Sequence, residues 1–239
     1  MPVRSPFSYV LIPGAGGSAW YWHRVVPLLN AAGARAVAVE LPAADDSADL
    51  TTYADIVCRA VPEGPESSES VVIVGMSMGA FTAPMVATRV PTARIVLVNP
   101  MVPRAGESAG QWWAATGQKQ AMLANFNRIG LGDKEFDPIE DFFHDVPADV
   151  REEAFREPEP PQSDTPFDQP WPLDAWPSAP TSVVQGSDDR LFPLDFQRRI
   201  VRERLGLDVD VMPGGHLMAL SQPEELTRRL LAAARFGSA

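Results

Sequence analysis

One serine stands in a pattern that could make it a nucleophile. Ser77 is the centre of Gly75-Met-Ser-Met-Gly79, which follows a β-branched run at 71–74 and precedes a helix-compatible segment at 80–90. A strand that ends in this way delivers the serine to a sharp, strained turn. Glycine neighbours avoid Cβ clashes there, and the hydroxyl is exposed above the sheet. The pattern therefore predicts a nucleophile elbow at Ser77.

A histidine and two aspartates follow in the order that such a serine needs. A buried-strand pattern at 181–185 leads to Asp188 and Asp189, and a second one at 208–211 leads through a glycine turn to His216. An imidazole must take the proton of the serine hydroxyl during attack and return it to the leaving group. An anionic partner must fix the tautomer of that imidazole. We therefore predict His216 as the general base, with Asp188 and Asp189 as competing orienting acids.

The chain order Ser, Asp, His resembles that of the α/β-hydrolase superfamily. In that family the acid commonly lies three residues after a strand-terminal glycine and four before a proline. Gly186 and Pro193 stand at those distances from Asp189. The resemblance thus favours Asp189, and it leaves Asp188 as a loop residue that hydrogen-bonds nearby amides.

The same chemistry requires amide donors for the oxyanion that forms during attack. The N–H of Met78 would lie at the positive end of the helix that follows the elbow. The resemblance implies a second donor in the loop after the first strand, and it aligns Ala15 there. The superfamily usually carries His-Gly in this loop, whereas this chain has Pro13-Gly14. Pro13 has no amide hydrogen, and the Ala15 donor remains.

The segment from Gly14 to Trp22, Gly-Ala-x-x-x-Ala-Trp-x-Trp, looks like the branch of plant methylesterases, hydroxynitrile lyases and their bacterial relatives. The resemblance covers roughly residues 1–90 and 177–239 and is thin between them. The lyases of that branch use a threonine in the oxyanion loop and a lysine directly after the catalytic histidine. Gly14 and Leu217 stand at those places here, so the resemblance implies ester hydrolysis rather than cyanohydrin cleavage.

These motifs need a sheet that presents them along one edge. Short apolar strands alternate with amphipathic segments, which predicts an α/β fold with a mostly parallel central sheet and helices on both faces. The predicted strands lie at 9–12, 34–40, 71–74, 94–99, 181–185 and 208–211. The predicted helices lie at 20–31, 51–61, 77–90, 194–205 and 223–234.

Residues 101–177 interrupt this alternation with an aromatic-rich stretch and an acidic helix candidate at 147–157; a proline-rich run, 158–180, leads back to the sheet. The superfamily inserts a helical cap at this point. We therefore expect an α/β-hydrolase core at 1–100 and 178–239 and a cap or lid at 101–177, whose apolar underside forms the pocket. Ordinary packing is the alternative reading of the three methionines among the candidates. The candidate pocket residues are Gly14, Met76, Met101, Trp112, Trp113, Phe142 and Met218.

The charge balance narrows the class of partner. The net charge is −11, and many of the carboxylates lie between residues 133 and 168. Such a balance opposes nucleic-acid binding, which needs clustered cations, and it favours neutral substrates. The three histidines and one cysteine lack metal-ligand spacing, and the glycines at 14–17 lack the spacing of a phosphate or dinucleotide loop. We therefore expect no metal, no cofactor, and a small-molecule ester as the partner.

No apolar run of the sequence reaches membrane-spanning length. The N-terminal run ending at Pro13 is short and is already needed as a strand, so no signal peptide is predicted. A cytoplasmic serine esterase that works through an acyl-enzyme is therefore the expectation, without a membrane partner. Lactonase, thioesterase, carbon–carbon hydrolase or perhydrolase activity could use the same residues. A non-catalytic small-molecule receptor that keeps the pocket is the alternative from a different class.

Overall fold

A six-stranded parallel sheet forms the centre of the chain. The computed structural model describes residues 7–62, 70–156 and 161–235. The strand order is β2-β1-β3-β4-β5-β6, and every neighbouring pair is parallel. The predicted α/β fold class is thus confirmed. The strands are β1 (Phe7–Ile12), β2 (Arg35–Ala38), β3 (Ser70–Met76), β4 (Thr92–Val98), β5 (Thr181–Gly186) and β6 (Val209–Met212).

Helices cover both faces of the sheet. Successive side chains of a strand point to opposite faces, so a strand that is apolar throughout needs an apolar layer on each side. On β1, Val10 and Ile12 join one apolar core, and Tyr9 and Leu11 join the other. The first core contains α2, α3, α4, α5 and α9, and the second contains α1, α10 and α11. The helices are α1 (Val25–Ala31), α2 (Leu50–Ala60), α3 (Gly79–Ala87), α4 (Ala109–Thr116), α5 (Gln118–Arg128), α6 (Pro138–Phe142), α7 (Ala148–Ala154), α8 (Thr165–Asp168), α9 (Leu194–Leu205), α10 (Met218–Ser221) and α11 (Pro223–Arg235).

Two of the helices predicted beside the sheet strands differ from the observed ones. The segment predicted as one helix at 20–31 is a 3₁₀ turn, Ala19–Trp22, followed by α1. Pro27 lies in the first turn of α1, where its missing N–H has no intrahelical partner to lose. The helix predicted at 77–90 begins at Gly79, because the backbone of Ser77 is left-handed and cannot join a right-handed helix.

The acidic helix predicted at 147–157 is shorter than expected. It is observed as α7, which follows Pro147 and ends at Ala154. Residue 157 of that prediction, and residues 158–160 of the proline-rich run, lie outside the described residues. The remaining part of the run contains the short helix α8 before it enters β5.

The described helices are short relative to a bilayer. The longest of them, α11, has 13 residues, whereas a membrane span needs about 20. No described helix is both long enough and apolar enough to cross a membrane.

The parallel sheet brings the predicted site residues to one edge. Ser77 directly follows β3, Asp189 lies three residues after β5, and His216 lies four after β6. The carboxyl ends of parallel strands meet at the same edge, where open α/β sheets bind ligands. The register of the sheet aligns these ends, because Met76 at the end of β3 pairs with Val98 at the end of β4.

Candidate active site

The turn after β3 has the strained geometry of a nucleophile elbow. Ser77 has a φ of 51°, which is rare for a residue with a Cβ. Glycines stand two residues before and two residues after it, where the backbone is crowded. A Cβ on Gly75 would lie 2.7 Å from Gly79 O, and a Cβ on Gly79 would lie 2.6 Å from Pro13 O. A larger residue at either place would therefore push the turn apart.

Hydrogen bonds from the adjoining strand hold this turn. The N–H of Ser77 donates to Val98 O at 3.0 Å, and the N–H of Met101 donates to Ser77 O at 3.0 Å. Both bonds come from the end of β4 or the chain just beyond it. The strained conformation is thus fixed by backbone partners, and it leaves the Ser77 side chain free to face the cavity described below.

His216 and Asp189 form a buried, hydrogen-bonded pair. Nδ1 of His216 lies 2.8 Å from Oδ2 of Asp189, and both side chains are buried. The other oxygen, Oδ1, accepts hydrogen bonds from the N–H groups of Leu191 and Phe192, each at 2.9 Å. These amides hold the carboxylate in place. With Nδ1 donating to Asp189, Nε2 of the imidazole is the nitrogen left to accept a proton.

Asp188 contacts the backbone of the turn at residues 213–216, here called the histidine turn, instead of the imidazole of His216. Its Oδ2 accepts hydrogen bonds from Gly214 N at 3.2 Å and from Ser187 Oγ at 2.9 Å. Its own N–H donates to Gly214 O at 3.0 Å. Of the two competing aspartates, the structure therefore brings Asp189 to His216 and attaches Asp188 to the turn before it.

Aromatic rings enclose the imidazole. The rings of Phe142 and Phe192 have centroids 5.0 Å and 5.1 Å from that of His216. Phe142 belongs to α6, within residues 101–177. Phe192 follows the loop at residues 187–191 that carries Asp189, here called the acid loop. Aromatic residues distant in sequence thus pack against the imidazole of His216, which also lines the cavity described below.

A cavity of about 280 Å³ joins Ser77 to His216. Most of its walls are apolar or aromatic, and its exposed lining residues are Ala15, Pro138, Ile139 and Phe155. The lining consists of Gly14, Ala15, Gly16, Tyr21, Met76, Ser77, Pro138, Ile139, Phe142, Phe143, Phe155, Gln162, His216 and Leu217. The predicted pocket residues Gly14, Met76 and Phe142 lie in this wall.

The other four predicted pocket residues lie in the two apolar cores. Trp112 is fully buried, donates from Nε1 to Val102 O at 2.9 Å, and packs its ring edge on Phe192. Trp113 packs beside it. Met101 and Met218 are buried, one in each core. Trp112 and Trp113 are therefore one layer away from the imidazole, behind Phe192.

The two predicted oxyanion donors belong to the turn that carries Ser77 and to the loop after β1. Met78 is the N-cap of α3, where the first N–H groups of a helix have no intrahelical partner. Ala15 lies in the loop after β1 and lines the cavity. Gly14 permits the close approach of this loop, since a Cβ there would lie 3.0 Å from Ser77 Cβ.

Gln162 is a site residue that sequence reasoning missed. Its Oε1 accepts a hydrogen bond from Gly16 N at 2.8 Å, and its Nε2 donates to Ser163 O at 2.9 Å. Gln162 therefore connects the chain that leads back to β5 with the loop after β1 that contains Ala15. No local pattern marks this residue, because its partner lies 146 residues away in the sequence.

The two remaining histidines lie outside the cavity lining. His23 stacks on Trp20, and its Nδ1 lies 2.8 Å from Trp20 O. His144 lies behind the histidine turn, where a Cβ on Gly215 would be 2.6 Å from its Nε2. Asp145 beside it accepts a hydrogen bond from Gly215 N at 2.6 Å. This segment of the insertion thus contacts the turn before His216 without lining the cavity.

A buried carboxylate fixes α6 against the acid loop. Asp141 is fully buried, with Oδ2 2.8 Å from Lys134 Nζ and Oδ1 3.1 Å from Arg190 Nη1. Burial acts to raise its pKa. Hydrogen bonds from Lys134, the Asp137 amide and Arg190 outweigh that effect, so its pKa is lowered. Because Arg190 directly follows Asp189, this ion pair connects α6, which lines the cavity, to the loop that carries Asp189.

Comparison with known proteins shows the family of the chain. A family model described as "Alpha/beta hydrolase family" matches residues 9–229. A probable esterase, PIR7A, of Oryza sativa subsp. indica is 34% identical over 115 residues, which are 43% of this chain and 42% of the rice protein. That match thus reaches less than half of the rice protein's length.

Two further similarities extend over nearly the whole chain. An alpha-hydroxynitrile lyase of Arabidopsis thaliana is 25% identical over 265 residues, covering 95% of this chain and 96% of the lyase. The crystal structure of polyneuridine aldehyde esterase superposes with a TM-score of 0.74 at 21% identity, covering 95% of this chain and 98% of that chain. At this identity the structural similarity shows the fold alone.

Proposed function

The chain belongs to the alpha/beta hydrolase family, and on this premise we propose that it is a serine esterase for small, uncharged, apolar carboxylic esters. The observation that carries the proposal is the buried His216–Asp189 pair, which shares one cavity with the strained Ser77. Similarity to the rice esterase over part of the chain supports the same class of reaction.

In the proposed reaction Ser77 Oγ attacks the ester carbonyl while Nε2 of His216 takes its proton. Asp189 keeps the proton of Nδ1 in place and stabilises the imidazolium that forms. The N–H groups of Met78 and Ala15 donate to the oxyanion. His216 then returns the proton to the departing alcohol, and Ser77 is left acylated. A water molecule deprotonated by His216 hydrolyses this acyl-enzyme and restores the free serine.

The cavity supports a neutral and mainly apolar substrate. Its lining contains no Lys, Arg, Asp or Glu among the described residues, so a charged acyl or alcohol group would lose its hydration without a partner. A volume of about 280 Å³ also limits the size of the enclosed part of the ester. We therefore propose short-chain or compact apolar esters over long acyl chains.

Cyanohydrin cleavage is disfavoured even though a hydroxynitrile lyase is among the relatives. Gly14 and Leu217 occupy the places where lyases of that branch carry threonine and lysine, and both line the cavity. An apolar Leu217 offers no charge to a cyanide leaving group. Lactones, thioesters, carbon–carbon substrates and peracid formation could use the same triad, so they belong in the test.

The decisive experiment combines covalent labelling with turnover. A fluorophosphonate probe should label wild-type protein at Ser77, and Ser77→Ala should remove the label. A series of p-nitrophenyl esters of increasing chain length, run beside a lactone, a thioester and mandelonitrile, should show sustained turnover with short esters. Ser77→Ala and His216→Ala should both be inactive while keeping the wild-type thermal melt.

Three outcomes would overturn the proposal. Label on another serine, or none on native protein, would remove Ser77 as the nucleophile. A single burst of p-nitrophenol without later turnover would indicate a receptor that is acylated but does not hydrolyse its ligand. Turnover of mandelonitrile faster than that of every ester would replace hydrolysis with lyase chemistry.

A further inference from the structure

Asn99 has an unusual backbone for a residue in the interior. It follows β4, is fully buried, and has a φ of 44°. Within the described parts of the chain, it shares a positive φ with Ser77 alone among non-glycine residues. Asparagine tolerates this conformation better than most residues, but the conformation persists only where the surroundings impose it. The two strained residues lie at the ends of neighbouring strands.

The side chain of Asn99 connects the base to the acid strand. Its Nδ2 donates to Gly215 O at 3.0 Å and to His216 O at 2.9 Å, and its Oδ1 accepts from Gly186 N at 2.8 Å. Both amide hydrogens are thus used. A flipped amide would place its oxygen against two carbonyl oxygens, so these partners define its orientation. One planar group therefore sets the distance between the histidine turn and the end of β5.

The histidine turn needs such a restraint because its own backbone is permissive. Gly214, with a φ of 128°, and Gly215 precede His216, and glycine limits backbone motion least. Asp188 and Asp145 bind the N–H groups of these two glycines. Asn99 binds the carbonyl of His216 itself, and it approaches from the sheet. Among these partners it is therefore the one attached directly to the base residue.

We propose that Asn99 is a positioning residue, which holds His216 at the distance from Asp189 and Ser77 that proton transfer requires. This inference rests on the proposed esterase function. Misplacement of a catalytic group by about 1 Å can cost about 100-fold in rate. Removing the amide should therefore lower kcat by about 10- to 100-fold. KM should change little, since Asn99 lies outside the cavity lining.

Two substitutions separate the side chain from the backbone strain. Asn99→Gly removes the amide but accepts the positive φ, whereas Asn99→Ala removes the amide and adds strain. If the hydrogen bonds matter, both variants should lose kcat to a similar extent, and Asn99→Ala should melt at the lower temperature. The matched control is Gln197→Met. Gln197 is a fully buried amide that donates to Pro100 O at 2.6 Å, next to Asn99, without touching the histidine turn.

The kcat of each variant is measured on one short p-nitrophenyl ester, at a temperature well below the melting temperature of every variant. Ser77→Ala is measured beside them as the inactive reference. Gln197→Met should stay within about threefold of wild type, because Gln197 hydrogen-bonds neither the histidine turn nor a residue of the cavity lining. An Asn99→Gly variant that also stays within about threefold, while Ser77→Ala is inactive, would overturn the positioning role and leave the esterase proposal intact. An active Ser77→Ala would instead overturn the esterase proposal.

A spectroscopic measurement tests positioning without any substrate. The chain has three histidines, so each Cε1–H resonance can be assigned by single His→Gln variants. In Asn99→Gly the His216 resonance should shift and broaden relative to wild type, because the turn samples several positions. The resonance of His23, whose ring stacks on Trp20 and does not contact Asn99, should be unchanged. An unaltered His216 resonance in Asn99→Gly would overturn the inference whatever the enzyme's substrate.

Discussion

Replacing Asp189 by asparagine should disable the base by reversing its tautomer. The N–H groups of Leu191 and Phe192 both need an acceptor at the position of Oδ1. An asparagine at 189 will satisfy them with its carbonyl oxygen, so its NH₂ must face Nδ1 of His216. Nδ1 then becomes an acceptor and the imidazole proton moves to Nε2. That nitrogen can no longer take the proton of Ser77.

The size of the effect follows from this geometry. An imidazole in the wrong tautomer, without an anionic partner, should reduce kcat by about 10³- to 10⁴-fold, or about 4–5.5 kcal/mol in the barrier. Asp188→Asn is the matched control, because an asparagine oxygen can still accept from Gly214 N and the backbone bond to Gly214 O is unchanged. It should stay within about tenfold of wild type, or about 1.4 kcal/mol.

The assay is kcat on one common ester for Asp189→Asn, Asp188→Asn, Ser77→Ala and the double variant Asp189→Asn with Ser77→Ala. Thermal melting checks that each variant is folded. The double variant should add little to Ser77→Ala, because the residues of a triad act as a unit. If Asp188→Asn is the disabled variant, the tautomer argument is refuted. If neither aspartate matters, the acid lies elsewhere.

Three further outcomes are expected. Gly75→Ala should lower the melting temperature, and it should lower kcat by at least about tenfold, because its Cβ would lie 2.7 Å from Gly79 O. An unchanged kcat would contradict a crowded turn at Ser77. Gln162→Ala should lower kcat by about three- to tenfold, the value of one neutral hydrogen bond, whereas Gln162→Glu, which keeps an acceptor for Gly16 N, should retain more activity; equal loss in both would exclude the acceptor role. Asp141→Asn should destabilise the fold by about 1.5–3 kcal/mol at pH 7. Because the folded pKa of Asp141 is lowered, wild-type stability from this carboxylate is present above about pH 4 and is lost as pH falls through the folded value. The gap in melting temperature between wild type and Asp141→Asn should therefore narrow as pH falls below about 4, and a constant gap down to the acid unfolding of the protein would contradict the ion-pair assignment.

The sheet was predictable because its strands carry strong local signals. Short apolar runs that alternate with amphipathic segments placed all six observed strands and the helix Leu194–Leu205. The ends of elements were less accurate where backbone conformation, rather than hydrophobicity, decides them. The positive φ of Ser77 shortens the helix after it, and a 3₁₀ turn divides the first predicted helix.

The site was predictable to the extent that turn chemistry is local. Ser77 and His216 each follow a strand through glycine-containing turns, so the sequence alone indicates where they lie. Choosing Asp189 over Asp188 needed the resemblance to a family, because adjacent aspartates on a loop have equal local signals. In the structure, hydrogen bonds from Leu191 and Phe192 distinguish them.

The cavity wall could not be read in the same way. Phe155 and Gln162 enter it from an insertion without a regular apolar period, and their partners are distant in sequence. Trp112 and Trp113 were expected there because they are large and aromatic. The same property lets them fill the core behind Phe192. Residue type alone does not distinguish these two places.

The hydrogen-bond ladder of the sheet continues past the strand ends and reaches the proposed triad. The N–H of Ser77 donates to Val98 O on β4, that of Asn99 to Val184 O on β5, and that of Ser187 to Met212 O on β6. Each donor is the first residue after its strand. Nucleophile, acid loop and base turn are therefore spaced by the repeat of the sheet itself, through backbone bonds that do not depend on the insertion. The insertion supplies six of the fourteen residues that line the cavity. Substitutions in it should consequently alter which ester is accepted, whereas substitutions at the strand ends should alter how fast any ester reacts.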